Sequence, residues 1–129
     1  MVASVKALRD NGEGIEGWAR QLDPASGRRW DDRDNLKMLR EGLRTLAADQ
    51  SALRTGLAGV AREMPEEAGS LRISVAMLAD TEMVRAIQLT EGVVSREQPG
   101  QMRGALGETR LTIERSVRSL EGLLPAYRG

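Results

Sequence analysis

The chain has 129 residues, a length that suits one domain, and its 19 basic and 19 acidic side chains cancel. It contains neither Cys nor His, which excludes disulfides, thiolate nucleophiles, thiolate and imidazole metal sites, and the commonest general base. Without a basic excess it lacks the signature of a nucleic-acid binder, and with 40% hydrophobic residues but no Phe its core palette is Leu, Val, Ile, Met and Ala, which suits helices better than sheets.

A first helix is predicted over 2–22, with an apolar seam of Met1, Val5, Leu8, Ile15, Ala19 and Leu22. Gly12, Gly14 and Gly17 each weaken it by roughly 1 kcal/mol relative to Ala, and Asn11-Gly12 is a plausible break into two pieces. Asp23-Pro24-Ala25-Ser26-Gly27 is turn chemistry. Asp31 or Asp32 is the expected N-cap of the next helix, and Trp30 is placed to act as its hydrophobic staple.

The second helix, 32–64, carries the clearest pattern. Leu36, Leu39, Leu43, Leu46, Leu53, Leu57, Val60 and Met64 recur at steps that keep one face, and Gln50 alone puts a polar side chain on that ladder. At 1.5 Å per residue the helix is about 48 Å long and needs partners along its length. Pro65-Glu66-Glu67 reads as a helix start, so a tight reversal at Pro65 is expected in preference to a kinked rod.

The third helix, 66–96, shows two seams: Leu71, Val75, Leu78, Leu89 and Val93, and Ile73, Ala76, Met83, Ile87 and Val94. An element apolar on two sides is buried by more than one neighbour. After the Gln98-Pro99-Gly100-Gln101 turn, a fourth helix spans 102–124 with its seam at Met102, Leu106, Thr109, Ile113, Val117, Leu120 and Leu124. Pro125 is expected to close it, leaving 126–129 to fray. Short links predict an all-α, antiparallel up-down-up-down four-helix bundle in a single domain, 1–129, with coiled-coil-like seams in helices two and three.

A reversal centred on Pro65 places Gln50 and Asp80 at one height, and counting through the other turns brings Ser116 and Ser4 there. Gln50, Asp80, Ser116 and Ser4 are therefore the candidate buried polar layer. Its expected role is register, because an unpartnered buried polar group costs roughly 1–3 kcal/mol and so penalises slid packings. The competing role is a small polar pocket, which requires Gln50 and Asp80 to line a common cavity. Glu82 and Arg85 are spaced as a surface ion pair.

Other motifs fail on context. Asp31-Asp32-Arg33-Asp34-Asn35 lacks the Gly and distal Glu of a calcium loop. Gly12-x-Gly14-x-x-Gly17 matches a dinucleotide fingerprint only as a string, with no strand before it. No catalytic residue, cofactor or metal ligand is expected. The first functional expectation is a non-catalytic interaction or scaffold module binding a protein partner or itself. The alternatives are a ligand- or signal-sensing bundle, then a reversible membrane-surface binder, which is weakened by evenly mixed Arg and Glu on the polar faces. Without a signal peptide or an apolar run long enough to span a bilayer, the expected location is cytoplasmic.

Overall fold

Val2–Leu22 winds as one unbroken helix, α1, through all three of its glycines. The computed structural model describes residues 2–27, 29–30 and 32–128, so Met1 and the alternative cap Asp31 lie outside the described residues. Two of the glycines stand where neighbours come closest. A Cβ on Gly14 would lie 2.8 Å from Leu46 Cδ2, and one on Gly12 would lie 3.1 Å from Ile113 Cγ2. What weakens the isolated helix thus allows its packed form, and the expected break at Asn11-Gly12 does not occur.

A 3₁₀ turn, Pro24–Ser26, follows, with Asp23 accepting from Ala25 N–H and Gly27 closing it in the left-handed region at φ 74°. Asp32 caps α2, Arg33–Glu63, by accepting from Asp34 N–H. Trp30 anchors backward: its indole N–H donates to Gln21 C=O at 3.0 Å, tying the loop to the end of α1.

The link after α2 differs from the expected one. Residues Glu66–Ala68 form a 3₁₀ turn, Gly69 follows at φ 52°, and the next helix, α3, spans Ser70–Met77. A π turn over Leu78–Glu82 leads into α4, Met83–Val94, so that α3, the π turn and α4 form a single rod. The last helix, α5, spans Pro99–Arg128. It begins three residues before the expected start and runs through Pro125, which loses one main-chain donor without ending the helix.

The π turn explains the two seams. In a straight α-helix Met83 would point about 80° away from Val75, and one inserted residue changes phase by about 100°. The wide turn therefore brings Met83 back into line. The buried stripe runs Val75, Ala79, Met83, Ala86, Thr90 and Val93, crossing from the first seam to the second and back. Ile73 falls outside it and is 61% exposed.

Four rods thus pack against each other, with no strand among the described residues. α1 lies against α2 and α5, and the third rod lies against α2 and α5. No helix among the described residues is long and apolar enough to cross a membrane. Arg side chains complete two carbonyl ends. Arg72 Nε donates to Ala61 C=O in the last turn of α2, and Arg54 Nε donates to Ala79 C=O in the π turn, each at 3.1 Å.

Gly42 sets the distance between α1 and α2, because a Cβ there would stand 2.8 Å from the Trp18 indole nitrogen. Gly56, on the same helix, has no atom within 4 Å of such a Cβ. Gly42→Ala should therefore destabilise the fold by about 1–3 kcal/mol through overpacking. Gly56→Ala should stabilise it by about 0.5–1 kcal/mol through helix propensity. Thermal melts of the two variants check this; shifts of the same sign would remove the close-approach argument.

Candidate functional site

Gln50 is fully buried and bonded in both directions. Its Nε2 donates to Asn11 Oδ1 at 2.9 Å, and its Oε1 accepts from Thr90 Oγ1 at 3.0 Å. Asn11 Nδ2 donates in turn to Leu46 C=O at 3.0 Å, and Thr90 Oγ1 also lies 2.8 Å from Ala86 C=O. The hydroxyl has one proton to share between Gln50 and Ala86, so those two contacts make a bifurcated bond or alternate. Three rods are thereby linked by side-chain amides and a hydroxyl.

The fourth rod supplies Thr109 at this level, also fully buried, with its hydroxyl 3.1 Å from Ala105 C=O on its own helix. The layer separates two apolar clusters. One holds Leu8, Leu57, Ala86 and Ile113, and the other holds Ile15, Leu43, Val93 and Leu106. On every rod the polar residue lies between a member of one cluster and a member of the other. Asn11, Gln50, Thr90 and Thr109 make up the layer.

Its membership differs from the expected set except at Gln50. Asp80 is exposed on the π turn and makes a 3.5 Å ion pair with Arg54. The link after α2 is centred beyond Pro65 and the π turn adds a residue; both move the match toward the C-terminus, and Thr90 rather than Asp80 bonds Gln50. Ser116 is buried, but its hydroxyl donates to Thr112 C=O at 3.0 Å on its own helix. Ser4 is half-buried and lines an open groove between α1 and α2. Asn11 was legible as a polar residue on the Leu8–Ile15 stripe, and Thr90 as one on the Ala86–Val93 stripe. Continuous α-winding through residues 78–82 hid the second.

Gln50 is fully buried, whereas Asp80 is exposed at the surface. Asp80 lines an open groove of about 380 Å³ between α2 and α3, with Arg54, Arg62 and Arg72 on its walls. Glu82 and Arg85 form no ion pair. Glu82 is half-buried and lines a groove with Arg118, whereas Arg85 is exposed on the rod. That groove, about 510 Å³, runs between the third rod and α5. Its lining includes Met77, 61% exposed, and Leu78 and Leu123. The π turn contributes to both grooves. Among the described residues, no cluster of three or more acidic side chains is placed to hold a metal ion.

No family model matches the chain, and comparison with curated proteins and with solved structures finds no match for it.

Removing the centre of the layer leaves Asn11 Oδ1 without its donor. Gln50→Leu should cost about 1–3 kcal/mol. The triple change Asn11→Leu, Gln50→Leu and Thr90→Val removes the polar groups together and should recover most of that loss. It should also broaden amide NMR resonances at the bundle's middle, because alternative registers are no longer penalised. Denaturant melts and heteronuclear spectra check both parts. A triple variant as unstable as the single one would show that the layer contributes through its shape alone.

Proposed function

We propose that the four rods form an up-down-up-down antiparallel bundle in a single domain. We further propose that this bundle is a non-catalytic interaction module, which binds a protein partner or its own copies through the exposed face of α3. The order of residue pairs supports the topology. Along α1 and α2, Asn11 pairs with Leu46, while Trp18, seven residues further on, sits over Gly42. Between α2 and the third rod, Gln50 meets Thr90 while Arg54 meets Ala79. Between α1 and α5, Arg9 pairs with Glu121 while Asp23 pairs with Arg103. In each case one index rises as the other falls.

The observation that carries the functional reading is the exposure of Ile73 and Met77, 61% each, one turn apart on the same face of α3. Single exposed apolar residues are ordinary on a protein surface. Two in succession beside an apolar-floored groove make a contiguous patch, of the kind that marks association surfaces. Five of the eight residues of α3 are apolar, Leu71, Ile73, Val75, Ala76 and Met77, and packing inside the chain leaves Ile73 and Met77 largely uncovered.

Two measurements test the reading. In this Cys-free chain, Arg9→Cys with Glu121→Cys should oxidise to an intramolecular disulfide and Arg9→Cys with Arg103→Cys should not; the reverse result overturns the topology. Immobilised chain should retain a protein, another species or further copies of itself, and lose it on Ile73→Asp with Met77→Asp at unchanged melting temperature. Equal retention by both forms, or none by either, overturns the interaction reading.

A further inference from the structure

The groove between α2 and α3 is walled by three arginines, Arg54, Arg62 and Arg72, against one carboxylate, Asp80. In a chain whose charges cancel, that is a local excess of cation. Two of the guanidinium groups are held in place. Arg72 reaches from α3 to α2, where its Nε donates to Ala61 C=O, and Arg54 reaches from α2 to the π turn, where its Nε donates to Ala79 C=O. Arg54 and Ala61 are seven residues apart on α2, as Arg72 and Ala79 are on the third rod, so the two bonds lie about 10 Å apart along the groove. Ala58 and Ala76 line the stretch between these levels with methyl groups alone.

The two ends differ in charge. At the Arg72 end, Arg62 follows Ala61 directly, lines the same groove, and makes no ion pair or hydrogen bond among the described residues. Arg72 uses only its Nε, so both of its terminal nitrogens remain to be paired. At the other end Asp80 Oδ1 stands 3.5 Å from Arg54 Nη2, so that end carries a donor and an acceptor and no net charge.

We propose that this groove binds a small phosphomonoester, with its phosphate between Arg62 and Arg72 and an ammonium or hydroxyl group of its body at Asp80. The site shares no residue with the Ile73 and Met77 surface and stands independently of the interaction reading. A phosphomonoester carries a charge of about −1.5 to −2 at neutral pH and three acceptor oxygens, enough for two guanidinium groups, whereas one fork already satisfies a carboxylate. The Nε bond to Ala61 orients the Arg72 fork before any ligand arrives, so less side-chain freedom is lost on binding. The groove, about 380 Å³, has the volume of a small-molecule site. Its alanine methyls face the carbon skeleton, and the carboxylate at the far end repels a second phosphate, which makes a polyphosphate chain the poorer fit.

Aminohexyl phosphate, hexyl phosphate and inorganic phosphate are the probes, titrated into isotope-labelled protein and followed by amide NMR shifts. Aminohexyl phosphate should bind with a Kd of about 1 mM or below and shift the resonances of 54–62 and 72–80. Hexyl phosphate should bind about threefold more weakly, because it has no cation to offer Asp80. Arg62→Gln changes an exposed residue without a partner in the chain, so the melting temperature should hold while both esters weaken at least about tenfold. Asp80→Asn should bring aminohexyl phosphate down to the affinity of hexyl phosphate without weakening the latter. Ile73→Asp with Met77→Asp should bind the probes as the wild type does. No shifts at about 10 mM ester, or equal binding by the wild type and Arg62→Gln, overturns the site. Inorganic phosphate binding as tightly as the esters overturns the ester reading, and an amine advantage that survives Asp80→Asn overturns the placement of the far group.

Discussion

The chain's arrangement depends on one buried amide. Gln50 has no access to water, so each of its polar atoms must find a partner inside the protein or cost about 1–3 kcal/mol. Its partners come from two different rods, Asn11 on α1 and Thr90 on α4, and Asn11 continues to the α2 backbone at Leu46. Sliding either rod past α2 by one turn, about 5.4 Å, breaks those bonds without offering replacements. The Leu, Ile and Met contacts above and below tolerate such slips far better, because apolar burial is non-directional. The apolar clusters hold the rods together, and the amide layer sets their height.

The π turn has to be read with that layer. Without the extra residue at 78–82, Met83, Ala86, Thr90 and Val93 would rotate off the stripe that begins at Val75, and Thr90 would leave Gln50. The same insertion opens the helix at a point where the carbonyl of Ala79 takes a side-chain donor, Arg54. It also leaves α3, on the N-terminal side of the phase change, with Ile73 and Met77 turned away from the core. The local irregularity that aligns one half of the rod with the bundle therefore leaves an apolar surface on the other half.

Much of this was legible in the residues and some was not. The four rods follow from apolar spacing and from punctuation at Pro24, Pro65 and Pro99, and Gln50 stood out because its ladder was otherwise apolar. Asp80 misled because height was counted from Pro65 with uniform winding, whereas Gly69 and the π turn both move the match toward the C-terminus. No residue type announces a π turn. The double seam was its trace, and it was legible only as two faces rather than as one face displaced in phase. Pro125 misled for another reason: near a helix end few main-chain bonds remain to be lost, so a proline there need not terminate the winding. The glycines of α1 read as weakness because propensity is a local quantity. The Leu46 and Ile113 side chains that occupy the space beside Gly14 and Gly12 come from other rods.

Glycine also separates the two kinds of surface in this molecule. Gly42 and Gly14 stand under Trp18 and Leu46, and the helix propensity they give up, about 1 kcal/mol each, is offset by the approach they permit. Gly122 gives up the same amount within a helix and has nothing above it inside the chain. Gly122 is exposed, as Gly56 is, and what lies beside both is open space. Ile73 and Met77 are the opposite case, large apolar side chains on a helix that the rest of the chain leaves largely uncovered.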